Sequence, residues 1–188
     1  MGKHGKFNFI ETKIPDLYEI EPTIFGDARG YFSETYNERD FFEAGITVKF
    51  VQDSQSRSKK GVLRGLHFQK KNPQGKLVRV LFGEVFDVAV DLRKNSPAFG
   101  KWHGIILSGE NKKQFYVPEG FAHGFVVLSD FAEFTYKCTR FYDASDEGGV
   151  LWNDPDLNID WHIGNGIEVI LSEKDKVNPN IGELNFYF

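Results

Sequence analysis

The sequence predicts an all-β protein, a sandwich or barrel with only a few short helices. Short segments that alternate apolar and polar residues, or run apolar throughout, follow one another along most of the chain. Clusters of Gly, Pro, Asn, Asp and Ser punctuate them at short spacing. The bulk numbers agree: 188 residues, 40% hydrophobic and 15% aromatic, fill a real core, and nineteen phenylalanines against seven prolines argue against disorder. No repeat or linker divides the chain, so 1–188 reads as a single domain.

Strands are expected at 7–12 and 17–21, then at 30–36 after the Gly26-Asp27 break. Asn37 is placed to cap a helix over 38–44, with Gly45 just past its end. Strands at 47–52 and 62–69 flank the Ser58-Lys-Lys-Gly61 break, and Asn72-Pro-Gln-Gly75 precedes one at 76–82. In the next strand, 85–92, Phe86, Val88, Val90 and Leu92 form a core face. Val85, Asp87, Ala89 and Asp91 are smaller or acidic, and their face can line a ligand cavity. Further strands are expected at 104–108, 114–117, 124–128 and 132–141, after the breaks at Asn95-Ser-Pro97, Ser108-Gly-Glu-Asn111 and Pro118-Glu-Gly120. There is more apolar strand than one small core requires, which predicts cover by a partner subunit. After Tyr142 the chain turns polar, and 143–188 reads as a C-terminal excursion anchored on the barrel by its tryptophans, with a helical turn near 173–177.

Net charge is only −4, so an anionic ligand must be met by local positive charge. The single cysteine, Cys138, rules out a disulfide framework and a cysteine-rich zinc site and reads as a small buried hydrophobe. No apolar stretch follows Met1-Gly-Lys-His-Gly-Lys6, no run approaches membrane-spanning length, and Lys6 breaks the myristoylation pattern. A cytoplasmic protein is expected.

The chemistry concentrates in Gly61-Val-Leu-Arg64-Gly-Leu-His67-Phe-Gln69 and in Pro118-Glu-Gly-Phe-Ala-His123-Gly. An ionisable histidine near a permanent cation inside a sheet is costly to keep. His4 lies in a frayed terminus, while His103 and His162 take surface or packing roles; His67 and His123 sit against glycines in buried runs. Pro118-x-Gly-x-x-His123 resembles the second half of the cupin motif, but His67-Phe-Gln69 stands where the first half wants two histidines and a glutamate. Two ligands do not make a metal site, so the expectation is a cupin-type barrel without metal. Lys76 either snorkels to water or turns its ammonium into the cavity, where it would stabilise an enolate-like oxygen. The Tyr136 hydroxyl can reach inward as a proton donor. Arg64 and His67 have opposite parity on an ideal strand, and a bulge at Gly65 would bring both inward. By themselves Asp27-Ala-Arg29-Gly30 and Gln52-Asp-Ser54 read as turns or caps, and Ser172-Glu-Lys-Asp175 as a helix N-cap.

Taken in order, Phe25-Gly-Asp-Ala-Arg-Gly30, Phe50-Val-Gln-Asp53, Gly61–Gln69, Gln74-Gly-Lys-Leu-Val78, Val85-Phe-Asp-Val-Ala-Val-Asp-Leu-Arg93, Pro118–Phe125, Glu133-Phe-Thr-Tyr-Lys137, Trp152-Asn-Asp-Pro155 and Ser172-Glu-Lys-Asp175 carry a resemblance over nearly the whole chain. It is to the dTDP-4-dehydrorhamnose 3,5-epimerase family of sugar-nucleotide epimerases. The resemblance implies a metal-free, cofactor-free jelly-roll barrel of cupin type, working as a homodimer with an N-terminal arm, 1–15, exchanged between subunits. It implies His67 as the base, Asp175 as its dyad partner, Tyr136 as the acid on the opposite face and Lys76 as the cation near the keto oxygen. Arg64 and His123 then surround the sugar and phosphates. Arg29, Glu34, Gln52, Asp53, Ser54, Glu147 and Lys174 fall where the family binds the nucleotide, partly across the dimer. Tyr142 takes the place of the ring that stacks on thymine, with Phe141 beside it as the competing ring. Ser54 stands where the family more often has asparagine.

The expected activity is inversion of carbons 3 and 5 of dTDP-4-dehydro-6-deoxy-D-glucose, giving dTDP-4-dehydro-L-rhamnose, with no nucleic-acid or membrane partner. Alternatives are epimerisation at one carbon or of another nucleotide-linked 4-keto sugar, a non-catalytic sugar-binding cupin, and a metal-dependent cupin oxygenase.

Overall fold

The computed structural model describes residues 2–164 and 166–188. Its strands, in chain order, are β1 (Lys3–His4), β2 (Phe7–Glu11), β3 (Tyr18–Pro22), β4 (Ile24–Asp27), β5 (Gly30–Ser33), β6 (Gln52–Lys59), β7 (Leu63–Gln69), β8 (Lys76–Phe82), β9 (Glu84–Asp91), β10 (Trp102–Ser108), β11 (Gln114–Val117), β12 (Phe121–Val127), β13 (Phe131–Cys138) and β14 (Glu147–Gly149). One helix, α1, spans Glu38–Glu43. Two antiparallel sheets face each other as a jelly roll: a seven-stranded sheet ordered β1-β2-β3-β11-β8-β13-β6 and a five-stranded one ordered β10-β9-β12-β7-β14. The β4–β5 hairpin stands apart as its own two-stranded sheet. Among the described residues, no helix is long and apolar enough to cross a membrane.

Strand β9 shows how both sheet faces are filled. Val85 and Ala89 point between the sheets, where they join Phe115, Phe125 and Phe134. Phe86, Val88, Val90 and Leu92 point outward and are buried by Leu157, Trp161 and Ile181. The chain's own C-terminal excursion covers this face. The excursion is held by indole donors, Trp102 Nε1 to the Leu157 carbonyl at 2.9 Å and Trp161 Nε1 to the Trp152 carbonyl at 2.7 Å. A third cluster packs α1, through Phe41, onto Phe7, Phe9, Leu77 and Tyr116 of the seven-stranded sheet. Asn37 caps α1 as expected, its side chain accepting from the Arg39 and Asp40 backbone N–H groups.

Several boundaries differ from expectation. The strand expected at 47–52 is irregular up to Val51, and pairing begins only at Gln52, running to Lys59 along the whole of β13. The reason is that Gln-Asp-Ser-Gln-Ser-Arg-Ser-Lys carries no apolar face: one side lines a polar cavity and the other meets water. The strand expected at 30–36 ends at Ser33 and pairs only with β4. His4 is not frayed, because β1 pairs with β2 and the His4 ring meets Phe9 edge-on at 5.9 Å. At 173–177 there is a turn and no helix, with the Asp175 N–H donating to the Ser172 carbonyl at 3.1 Å.

Candidate active site

Between the sheets, at the end where β7, β8 and β13 approach the C-terminal excursion, a cavity of about 430 Å³ opens. An adjoining chamber of about 240 Å³ shares His67, Lys76, Tyr136, Tyr142 and Glu147 with it. Phe125 and Phe134, stacked at 4.2 Å, belong to the cavity's apolar wall.

Arg64 and His67 both line the cavity despite their opposite parity. Against β12, His67 pairs with His123 but Arg64 pairs with Phe125, so β7 holds one extra residue between them. Gly65 absorbs it at φ +137, where a Cβ would stand 2.5 Å from the Gly124 Cα. Gly124 in turn leaves room for the Arg64 carbonyl, which a Cβ there would meet at 2.7 Å. The bulge at glycine is what aims the Arg64 guanidinium and the His67 imidazole at one space.

His67 is 23% exposed, and its Nε2 lies 2.5 Å from Oδ1 of Asp175, itself only 2% exposed. The Asp175 N–H also donates to the Ser172 hydroxyl at 3.3 Å, so a tight turn fixes the carboxylate. Burial works to raise the Asp175 carboxyl, but the His67 hydrogen bond and charge outweigh it and hold it below the usual range. Lys76 opens β8 and lines both spaces, and among the described residues it has no carboxylate within ion-pair distance. Burial pushes its ammonium below the ordinary lysine range, against the pull of Cys138, Asp87 and Glu147. Burial raises the Tyr136 phenol, opposed by the Ser54 hydroxyl across the strand pair and by the Arg64 charge.

Sequence reasoning placed Asp87 on the cavity side of its strand but assigned it no function. The structure pairs it with His123, Nε2 to Oδ1 at 2.8 Å, to make a second histidine–aspartate dyad with both members buried. Burial raises the Asp87 carboxyl, with His123 and Lys76 acting against it. Its parity opposite Phe86 and Val88 was the signal. Ser56 also lines the cavity, its alternation with Ser54 on polar β6 being the only trace in the sequence.

The expected nucleotide residues divide. Gln52 and Ser54 line the smaller chamber, and Lys174 the larger cavity. Lys174 Nζ contacts Glu147 at 2.7 Å, and the Tyr142 hydroxyl donates to Glu147 at 3.3 Å. Tyr142 lines both spaces, while Phe141 lines neither and is 71% exposed. Asp53 is not brought in: alternation along β6 turns it to the outer face, where it pairs with Lys137 at 2.9 Å. Arg29 sits on the β4–β5 turn, ion-paired with Asp27, and Glu34 accepts from Asn37 at 3.1 Å; neither reaches the cavity within this chain. Among the described residues, no three His, Cys, Asp or Glu side chains converge as metal ligands.

Comparison with known proteins follows the same lines. The family model described as dTDP-4-dehydrorhamnose 3,5-epimerase matches residues 11–183. A dTDP-4-dehydrorhamnose 3,5-epimerase of Salmonella typhimurium is 58% identical over 172 residues, covering 90% of this chain and 93% of that protein. The crystal structure of the enzyme of that name from Elizabethkingia anophelis superposes with TM-score 0.92 at 55% identity, covering 97% of this chain and 100% of the other. A dTDP-6-deoxy-D-glucose-3,5-epimerase from Legionella pneumophila, solved in complex with dTDP-4-keto-L-rhamnose, also gives 0.92 at 54% identity, covering 95% of each chain.

Proposed function

The chain belongs to the dTDP-4-dehydrorhamnose 3,5-epimerase family, and from that premise we propose how its cavity does the chemistry. The enzyme is an isomerase that inverts carbons 3 and 5 of dTDP-4-dehydro-6-deoxy-D-glucose to give dTDP-4-dehydro-L-rhamnose. Inversion beside a ketone is redox-neutral: it asks for a base on one face, an acid on the other and positive charge at the oxygen.

One observation carries the assignment of roles: His67 with its Asp175, the Lys76 ammonium and Tyr136 all line a single cavity. With Nε2 committed to the Asp175 carboxylate, the proton sits on Nε2 and the Nδ1 lone pair is the base. Asp175 favours the imidazolium that forms as His67 takes a proton from the carbon alpha to the ketone. The Lys76 ammonium meets the developing enolate oxygen, and Tyr136 returns a proton from the opposite face. His123, held by Asp87, and Arg64 contact the sugar and phosphates. Gln52, Ser54, Tyr142, Glu147 and Lys174 take the nucleotide end, with Tyr142 as the stacking ring because it alone of the two candidates faces the cavity.

A homodimer completes the site. Strands β1 and β2 form the edge of the seven-stranded sheet, and the β4–β5 hairpin projects exposed aromatic residues together with Arg29. A second copy meeting these elements receives Arg29 and Glu34 at its nucleotide end, the arm 1–15 being the segment for exchange. Cytoplasmic action is part of the same reading. Turnover of the 4-keto-6-deoxy sugar nucleotide in deuterium oxide tests the activity. Deuterium at both carbons flanking the ketone is expected; label at one carbon alone makes this a single-carbon epimerase.

A further inference from the structure

We propose that Ser54 is a positioning residue for the acid: a one-way chain of hydrogen bonds from the Tyr142 backbone through Gln52 aims the Ser54 hydroxyl proton at the Tyr136 phenol oxygen. It rests on the reading of Tyr136 as the acid.

The direction of the chain follows from its first member. The Tyr142 backbone N–H can only donate, and it donates to Gln52 Oε1 at 3.0 Å. That fixes the Gln52 amide, leaving Nε2, which also can only donate, facing Ser54 Oγ at 3.1 Å. Ser54 Oγ therefore accepts, and its own proton is left for another partner. Thr135 does not compete for it, since the Thr135 hydroxyl goes to the Ser54 backbone carbonyl. Directly across the strand pair from Ser54 stands Tyr136, and both side chains line the smaller chamber.

Once Tyr136 has given its proton to carbon, its oxygen carries negative charge in a space that disfavours charge. A donor aimed at that oxygen stabilises the phenolate and makes the phenol a better acid. The Tyr136 titration is subject to both influences, burial raising it and the Ser54 hydroxyl across the strand pair lowering it. Serine suits the position because it accepts from Gln52 and donates to Tyr136 through one atom. Asparagine does the same through two.

The test compares wild type with Ser54→Ala, Ser54→Asn, Gln52→Glu and Tyr136→Phe, reading completed inversion, deuterium wash-in and phenolate absorbance against pH. Ser54→Ala should slow inversion by about ten- to a hundredfold, the weight of one hydrogen bond to a charged group, while wash-in by His67 persists. The phenolate absorbance lost in Tyr136→Phe should shift to higher pH in Ser54→Ala. Ser54→Asn should restore both. Gln52→Glu leaves Ser54 in place but offers it a carboxylate acceptor, so the hydroxyl turns away and the Tyr136 titration should rise again. An unmoved titration in both Ser54→Ala and Gln52→Glu overturns the proposal, as does a loss of wash-in and inversion in equal proportion. Full inversion by Tyr136→Phe would instead remove the acid assignment itself.

Discussion

At His67 the decisive fact is which ring nitrogen is already engaged. Asp175 holds Nε2 at 2.5 Å, which leaves Nδ1 as the proposed base. Replacing Asp175 by asparagine keeps the shape but removes the charge that supports the imidazolium, and should lower turnover by ~10²-fold or more. Lys76 and Tyr136 separate under pH because burial moves them in opposite directions. A lysine pushed down loses its proton at lower pH than an ordinary lysine; a tyrosine pushed up keeps its proton longer. An alkaline fall in activity is therefore expected to follow Lys76. Lys76→Arg, at whatever reduced rate, should move that limb upward because guanidinium stays protonated; a limb unchanged in the arginine variant would assign it to another group.

The β7 bulge is the element on which the site depends. Gly65→Ala sets a Cβ against the Gly124 backbone at a positive φ, and neither backbone can yield cheaply. The variant should lose ~2 kcal/mol or more of stability and most of its activity, while a substitution at Gly2, where a Cβ meets nothing within 4 Å, should be neutral in both denaturation and turnover. Legibility of the chain also divides by element. Strand β9 was readable because its two faces differ in size and charge, and β7 because glycine beside Arg64 and His67 signalled a bulge. Strand β6 was misplaced because neither face is apolar, which removes the period-two signal. Asp87 was seen as facing inward yet left without a role, since its partner lies on another strand, at His123. The pairing of Asp175 with His67, 108 residues apart, is invisible to any local pattern; only the family resemblance brought it into view.

For the whole molecule the question is what meets the β4–β5 hairpin. Phe25, Tyr31 and Phe32 are 50%, 62% and 62% exposed, more apolar surface than a lone hairpin ordinarily shows to water. Arg29 at its tip is a local cation on a chain of net charge −4, suited to a phosphate the molecule as a whole does not attract. If Arg29 acts across a homodimer, mixing inactive His67→Ala with the weakened Arg29→Ala should regain activity, because each mixed dimer contains one site with both residues intact. No recovery on mixing would place Arg29 outside the reaction or within its own subunit's site. The most direct measurement on the account as a whole is NMR of the sugar after incubation in deuterium oxide with wild type and with His67→Ala. One imidazole serving both carbons predicts label at carbons 3 and 5 with wild type and at neither with the variant. Label appearing at either carbon at the wild-type rate in His67→Ala would contradict it.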